Sequence, residues 1–246
     1  MSGAARSAIS FLTCFGRPTA PQSGALPYFP PVGLAVGLGL GLLWWVATAG
    51  WGRLVGSGVV VVADIAVTGG LHLDGLADSA DGLVPHLSTQ RRLEAMSDPA
   101  VGAFGVLALA AVLLMRFVSL ASLRPSPLLL GSLWALSRGL MATAAGSLRH
   151  ARAEGGLGSA FGGPAARPAV AAAVTVVCAG GAALWWLPVG GVMALAAATA
   201  AGLAVIRLAV RRLDGVTGDV LGASGVVAET VGLFAASSVL AGGIRW

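Results

Sequence analysis

Lysine is absent from this chain: all fifteen basic residues are arginine. Charge of either sign is scarce, at 10% of 246 residues, well below the roughly one quarter of soluble domains. That shortage argues against a water-soluble domain. With 57% hydrophobic residues and a mean hydropathy of +0.87, the chain reads as an integral membrane protein. Cysteine is reduced to Cys14 and Cys178, far apart and the second inside an apolar run, so neither a disulfide framework nor a thiolate metal site is expected. No basic stripe interleaved with aromatics is present, so the net charge of +5 points to arginines flanking membrane spans, and no nucleic acid partner is expected. The amino terminus has Arg6 and a short apolar run, "AISFLTCFG", with no clear small-residue cleavage pattern after it. Residues 1–31 therefore read as an interfacial segment and not a signal peptide.

What remains is long apolar runs. A bilayer core of about 30 Å needs roughly 20 apolar residues per helix. Candidate helices lie at 32–50, 54–70, 104–123, 127–146, 168–187, 190–210 and 223–243, with Gly or Pro at the tight turns near Gly50 to Gly52, Arg124 to Pro127 and Pro188 to Gly191. The expected fold class is all-α: one polytopic membrane helix bundle over 1–246 with about seven transmembrane helices. Basic residues in short loops tend to stay in the cytoplasm. Arg6, Arg17, Arg91, Arg92, Arg149, Arg152, Arg167, Arg211 and Arg212 fall on the amino-terminal side, against Arg53, Arg124 and Arg245 opposite. A cytoplasmic amino terminus follows, and Trp44, Trp45, Trp51, Trp185, Trp186 and Trp246 are expected near the outer interface. Every acid outside the spans, and all three histidines, then come out cytoplasmic, so any chemistry is expected there.

The scarce acids are concentrated in "VTGGLHLDGLADSADGL", within an acidic loop expected over 71–103. Asp74, Asp78 and Asp81 are four and three residues apart, which on a helix places them within about 60° of one another. Three like charges on one face need a counter-ion. Oxygen-rich clusters suit hard cations, and Mg²⁺ takes one or two carboxylates plus waters and substrate phosphates, which points to phosphate chemistry. The bland alternative is a solvated acidic loop. It is disfavoured because "DGLAD" interleaves acids with apolar residues. His72 beside the cluster reads equally as a structural or hydrogen-bonding residue and as a ligand.

Three further polar groups lie on the same side. "RRLEAMSDPAVGAFG" contains Ser97 and Asp98, which read as helix caps or as substrate contacts. "LRHARAEGGLGSAFGG" sets Arg149, His150 and Arg152 beside glycines whose backbone amides, with guanidinium forks, could grip phosphate; an arginine anchor at the headgroups is the alternative. "RRLDGVTGDVLGASG" supplies Asp214 and Asp219 ahead of the last span, and Asp219 could complete a metal site. Within the spans charged residues are costly. Arg138 and Glu229 are candidates facing the bundle interior, while Asp64 and Arg116 read either as structural partners or as boundary residues.

Four stretches, "TGGLHLDGLADSADGL", "MSDPAVGAFG", "ARAEGGLGSAF" and "TGDVLGA" with Glu229 further on, together resemble the cobalamin synthases, named for their activity adenosylcobinamide-GDP ribazoletransferases. Their order and spacing match from about Phe11 to about Leu233. The resemblance implies a Mg²⁺-dependent membrane transferase in which a hydroxyl of α-ribazole, or of its 5′-phosphate, attacks the phosphate attached to adenosylcobinamide in adenosylcobinamide-GDP, and GMP leaves. It implies catalytic roles for Asp74, Asp78 and His72, metal contacts from Asp74, Asp78, Asp81 and Asp219, and substrate contacts from Arg138, Arg149, Arg152 and Asp98. The implied partners are the two substrates and the lipid bilayer, with a homo-oligomer or association with other membrane enzymes of the pathway left open. Two other classes fit less well. A phospholipid-head-group transferase would carry an arginine where Asp78 stands, and a cation-coupled transporter using Asp64, Arg138 and Glu229 would line a path across the membrane and not crowd its polar residues onto one face.

Overall fold

The computed structural model describes residues 2–17, 19–152, 161, 167–186 and 188–241. Among them the architecture is helical, with no strand beyond one isolated bridge. A short helix α1 (Gly3–Leu12) precedes α2 (Phe29–Thr68), which starts on Pro30 and Pro31, where a missing N–H costs nothing. α2 is continuous in name only. Gly52 has φ 81° and ψ 170°, a backbone region that side-chain-bearing residues avoid, and the chain folds back there. Gly56 of the returning half packs directly on Thr48 of the first. The 45-residue apolar stretch Gly24–Thr68 thus supplies two crossing segments, and five more apolar helices are long enough to span a bilayer. The hairpin expected near Gly50 to Gly52 is present, and the total agrees with about seven spans.

Gly69 and Gly70, at φ 62° and 72°, break the chain before α3 (Leu71–Leu83). After α4 (Thr89–Ala95) come α5 (Ala103–Ser122) and α6 (Pro127–Ser147), the latter capped by Ser126, whose hydroxyl accepts the Leu129 amide. α7 (Pro168–Thr175) continues through a π-turn at Val176–Gly180 into α8 (Gly181–Trp186), and α9 (Pro188–Leu213) and α10 (Gly218–Ala241) close the bundle.

α6 is the central span: 78% of its apolar window is buried, against 22% for α5. The reason lies in α2. Gly33, Gly37 and Gly41 recur every fourth residue, and a Cβ on any of them would run into the backbone of α6 at Trp134, Leu130 and Pro127 in turn. Small residues at this spacing let two helix backbones touch, which drives packing where lipid leaves little hydrophobic incentive. Trp45, Trp51 and Trp185 are exposed, as interface anchors should be, but Trp44 is fully buried against the core, so it is not an anchor. Trp246 and the Trp186 side chain lie outside the described residues.

Candidate active site

The acidic motif forms a helix, α3, and not a loop. α3 packs on the start of α10, where Gly75 lies so near the Asp219 backbone that a Cβ would collide with it. Asp219 belongs to the first turn of α10, a few residues earlier than the expected start of the last span, and Thr217 caps that turn by accepting the Val220 amide at 3.2 Å. The contact brings Asp219 to the aspartates of α3. Asp74 is exposed, and Asp78 and Asp219 are half-buried. Burial, then the negative charges of Asp74 and Asp219, push the Asp78 carboxyl up from 3.8 to about 6, with Arg152 opposing and Asp81 adding a little. The three carboxylates therefore share one electrostatic environment.

Asp81 is engaged differently. Its two carboxylate oxygens accept the Gly102 amide at 2.7 Å and the Gly105 amide at 3.0 Å, so it caps α5 from a neighbouring helix. Asp98 accepts the Ala100 amide at 2.9 Å and closes its own exposed turn, whereas its neighbour Ser97 meets the site by accepting from Arg152 at 3.1 Å. Arg152 also lies 3.5 Å from Asp219 and donates to the Met96 carbonyl. One guanidinium thus ties the second, third and fourth polar motifs together. Arg149 forms an exposed pair with Asp214 at 2.7 Å, set by backbone bonds between residues 149–151 and Val216. The glycine-rich run after Arg152 falls at 153–160 and 162–166, outside the described residues; Phe161 within it is buried and packs edge-on against Phe11 and Phe29.

His72 is buried against Gly222 of α10, and neither ring nitrogen has a hydrogen-bond partner. Burial, then the positive charges of Arg138 and Arg116, hold its pKa well below 6.5, so the imidazole is neutral. Those two arginines belong to a separate cluster inside the membrane. Arg116 of α5 pairs with Asp64 at 2.6 Å and with Glu229; Arg138 of α6 pairs with Glu229 at 2.5 Å. Trp134 donates to Asp64 at 3.0 Å, Ser137 donates to Glu229 at 2.6 Å, and the Arg116 guanidinium lies 5.3 Å from the centre of the Trp134 ring. Arg138 is therefore in a sealed ion-pair network and not on the acidic face. The pairing of Asp64 with Arg116 was open in the sequence; Trp134 and Phe161 gave no signal beyond being aromatic.

Among the described residues no group of three or more His, Cys, Asp or Glu side chains is arranged to hold a metal ion by itself. The acidic face instead offers hard oxygen donors, partly open and short of positive charge, which fits a divalent cation that completes its shell with waters and a phosphorylated ligand.

The cobalamin-5-phosphate synthase family model matches residues 4–237 of the chain. Named adenosylcobinamide-GDP ribazoletransferases are similar over most of their length. One from Chlorobium phaeovibrioides is 37% identical, covering 91% of this chain and 92% of that protein. Another from Desulforamulus reducens is 34% identical over 95% and 96%. A third from Roseiflexus sp. is 37% identical over 92% and 86%. No solved structure matches.

Proposed function

The chain belongs to the cobalamin-5-phosphate synthase family, and from that premise we propose that the acidic face of α3 and α10 is where the phosphate ester is exchanged. The reaction joins α-ribazole, or its 5′-phosphate, to adenosylcobinamide-GDP and releases GMP. A ribazole hydroxyl attacks the phosphorus attached to adenosylcobinamide, the bond to the bridging oxygen of the diphosphate breaks, and that oxygen leaves on GMP. Such a transfer needs little covalent help from protein and much alignment and charge neutralisation.

Asp74 and Asp219, with Asp78 in the field of both, would hold Mg²⁺ and through it the diphosphate. When bound, the ion offsets negative charge on the phosphates and on the leaving group. Of the candidates Asp74, Asp78 and His72, Asp78 is a better proton acceptor than His72: it is partly exposed with its pKa raised to about 6, whereas His72 is sealed beside Gly222. His72 is assigned to positioning, since it fills the seam between α3 and α10 that sets Asp74 against Asp219. Asp81 acts one step further out by fixing the start of α5. Arg152, half-buried beside Asp219, and Arg149, exposed and paired with Asp214, would meet phosphate oxygens of the substrate. The cytoplasmic orientation of this face, in the cell membrane, rests on the arginine asymmetry of the loops.

The observation that carries the reading is the Asp78 environment, three carboxylates gathered at one helix seam with Arg152 in reach and too little positive charge to balance them. Inside-out membrane vesicles supplied with adenosylcobinamide-GDP and α-ribazole should release GMP only when Mg²⁺ is present. Release that continues in excess chelator would remove the cation from the reaction. Release only from right-side-out vesicles would reverse the orientation.

A further inference from the structure

We propose that α1 and the α2 hairpin form a binding site for one anionic phospholipid, with an acyl tail in an apolar groove and the headgroup phosphate between Arg6 and Arg17. Two adjoining cavities carry this. The first is a groove of about 530 Å³ between α1 and the two halves of α2, running past Pro31, Ala35, Gly39 and Leu43 on one side with Ala63 and Val67 on the other. From Pro31 to Leu43 the helix rises about 18 Å at 1.5 Å per residue. One leaflet of hydrocarbon is about 15 Å deep, half of the core thickness. The groove therefore matches the depth of one monolayer and not of the whole bilayer. A Cβ on Gly39 would meet nothing within 4 Å, so the groove is open beside it and a longer side chain there would occupy it.

The second cavity, about 470 Å³, shares Ile9 with the first and is lined by Arg6, Arg17, Thr19 and Gln22. Among the described residues no carboxylate forms an ion pair with either arginine. Two guanidiniums and an amide make a donor set for a phosphate diester, while the Thr19 hydroxyl donates to the Arg17 carbonyl at 3.1 Å and steadies that loop. The helix beneath them is amphipathic: Ala8 and Leu12 are buried against the bundle while Arg6 faces outward, as in helices that lie in the headgroup plane. The Cys14 amide, which donates to the Val67 carbonyl at 2.8 Å, pins this segment to the end of α2 from which α3 departs. A free anion would need only the basic cavity and a neutral lipid only the groove. Their junction at Ile9 selects a molecule that has both ends.

Native mass spectrometry of the full chain in mild detergent, titrated with phosphatidylglycerol or phosphatidylcholine, tests this. Wild type should retain phosphatidylglycerol at least fivefold better. The Arg6→Gln/Arg17→Gln double variant should lose that preference yet keep phosphatidylcholine binding. Gly39→Leu, which fills the groove with a better helix former, should lower retention of both lipids at least fivefold, and Ala35→Leu repeats the test one turn away should the first variant lose helix content by circular dichroism. Undiminished lipid retention in the filled variants, or a phosphatidylglycerol preference that survives in the arginine variant, would overturn the proposal. So would displacement of the lipid by millimolar inorganic phosphate, which would mark a site for free anions.

Discussion

Two groups of charged residues lie within a few turns of one another and are built on opposite principles. The cluster of Asp64, Arg116, Arg138 and Glu229 is sealed among four helices, and its two acids face two guanidiniums, with Trp134, Ser137 and Thr230 taking up further hydrogen bonds. The group at the α3–α10 seam has three acids with Arg152 beside Asp78 and Asp219, and among the described residues most of their oxygens have no hydrogen-bond partner. A balanced buried network is complete without anything from outside. An acid excess at an accessible surface is incomplete until a cation arrives. The contrast separates the groups that hold the bundle together from those proposed to act on a ligand.

The sharpest way to break this contrast is at the open end. Asp74→Asn and Asp78→Asn should each cut GMP release by at least about 10³-fold, equivalent to about 4 kcal/mol at 1.36 kcal/mol per decade, while the unfolding temperature in detergent does not fall. Near-normal turnover in both would move the chemistry elsewhere. The sealed end should respond in the opposite way. Glu229→Gln leaves two guanidiniums facing the single carboxylate of Asp64 and should lower the unfolding free energy by about 3–5 kcal/mol, read as a lower unfolding temperature. An unfolding temperature that held while turnover collapsed would make the inner cluster part of the reaction.

Acidity sharpens the comparison further. Asp78 is an acid whose pKa in the folded protein, about 6, exceeds its ordinary 3.8, so the folded state holds more protons between those values. The cation-free protein should therefore lose stability as pH rises from about 4 to about 6, and Mg²⁺ should recover it. Because the ion competes with that proton, apparent Mg²⁺ affinity should climb up to about tenfold per pH unit below 6 and level off above; a flat profile from pH 5 to 7 would take Asp78 out of the site. The smallest effect belongs to the exposed Arg149–Asp214 pair. Arg149→Gln should change stability by less than about 1 kcal/mol while raising the substrate concentration needed for half-maximal rate several-fold, checked by unfolding and steady-state kinetics on one preparation.

The open group was largely legible in the sequence, because helical spacing brings Asp74 and Asp78 to one face and the motif is dense in acids. Its geometry was less so. Equal spacing could not show that Asp81 turns to the amides of α5, since that depends on where a separate helix begins. Asp219 is expected ahead of the last span, which hydropathy starts at 223, yet Thr217 caps the helix before it. The sealed group was harder to read: Asp64 and Glu229 are 165 residues apart in the chain, and nothing local records that both meet Arg116. The fold itself followed from hydropathy, with the hairpin at Gly52 visible as a glycine pair in an otherwise unbroken apolar run. The glycines at 33, 37 and 41 were visible but carried no partner until α6 was seen against them.

The sealed cluster bears on how the protein lives with an energised membrane. A single uncompensated charge displaced through a bilayer exchanges about 2.3 kcal/mol with each 100 mV of potential. With both carboxylates ionised, two acids and two guanidiniums sum to zero, so shifting the helices that carry them together does no net work against the voltage. The transferase can then keep ionic cross-links at its centre and remain mechanically indifferent to a voltage across the bilayer.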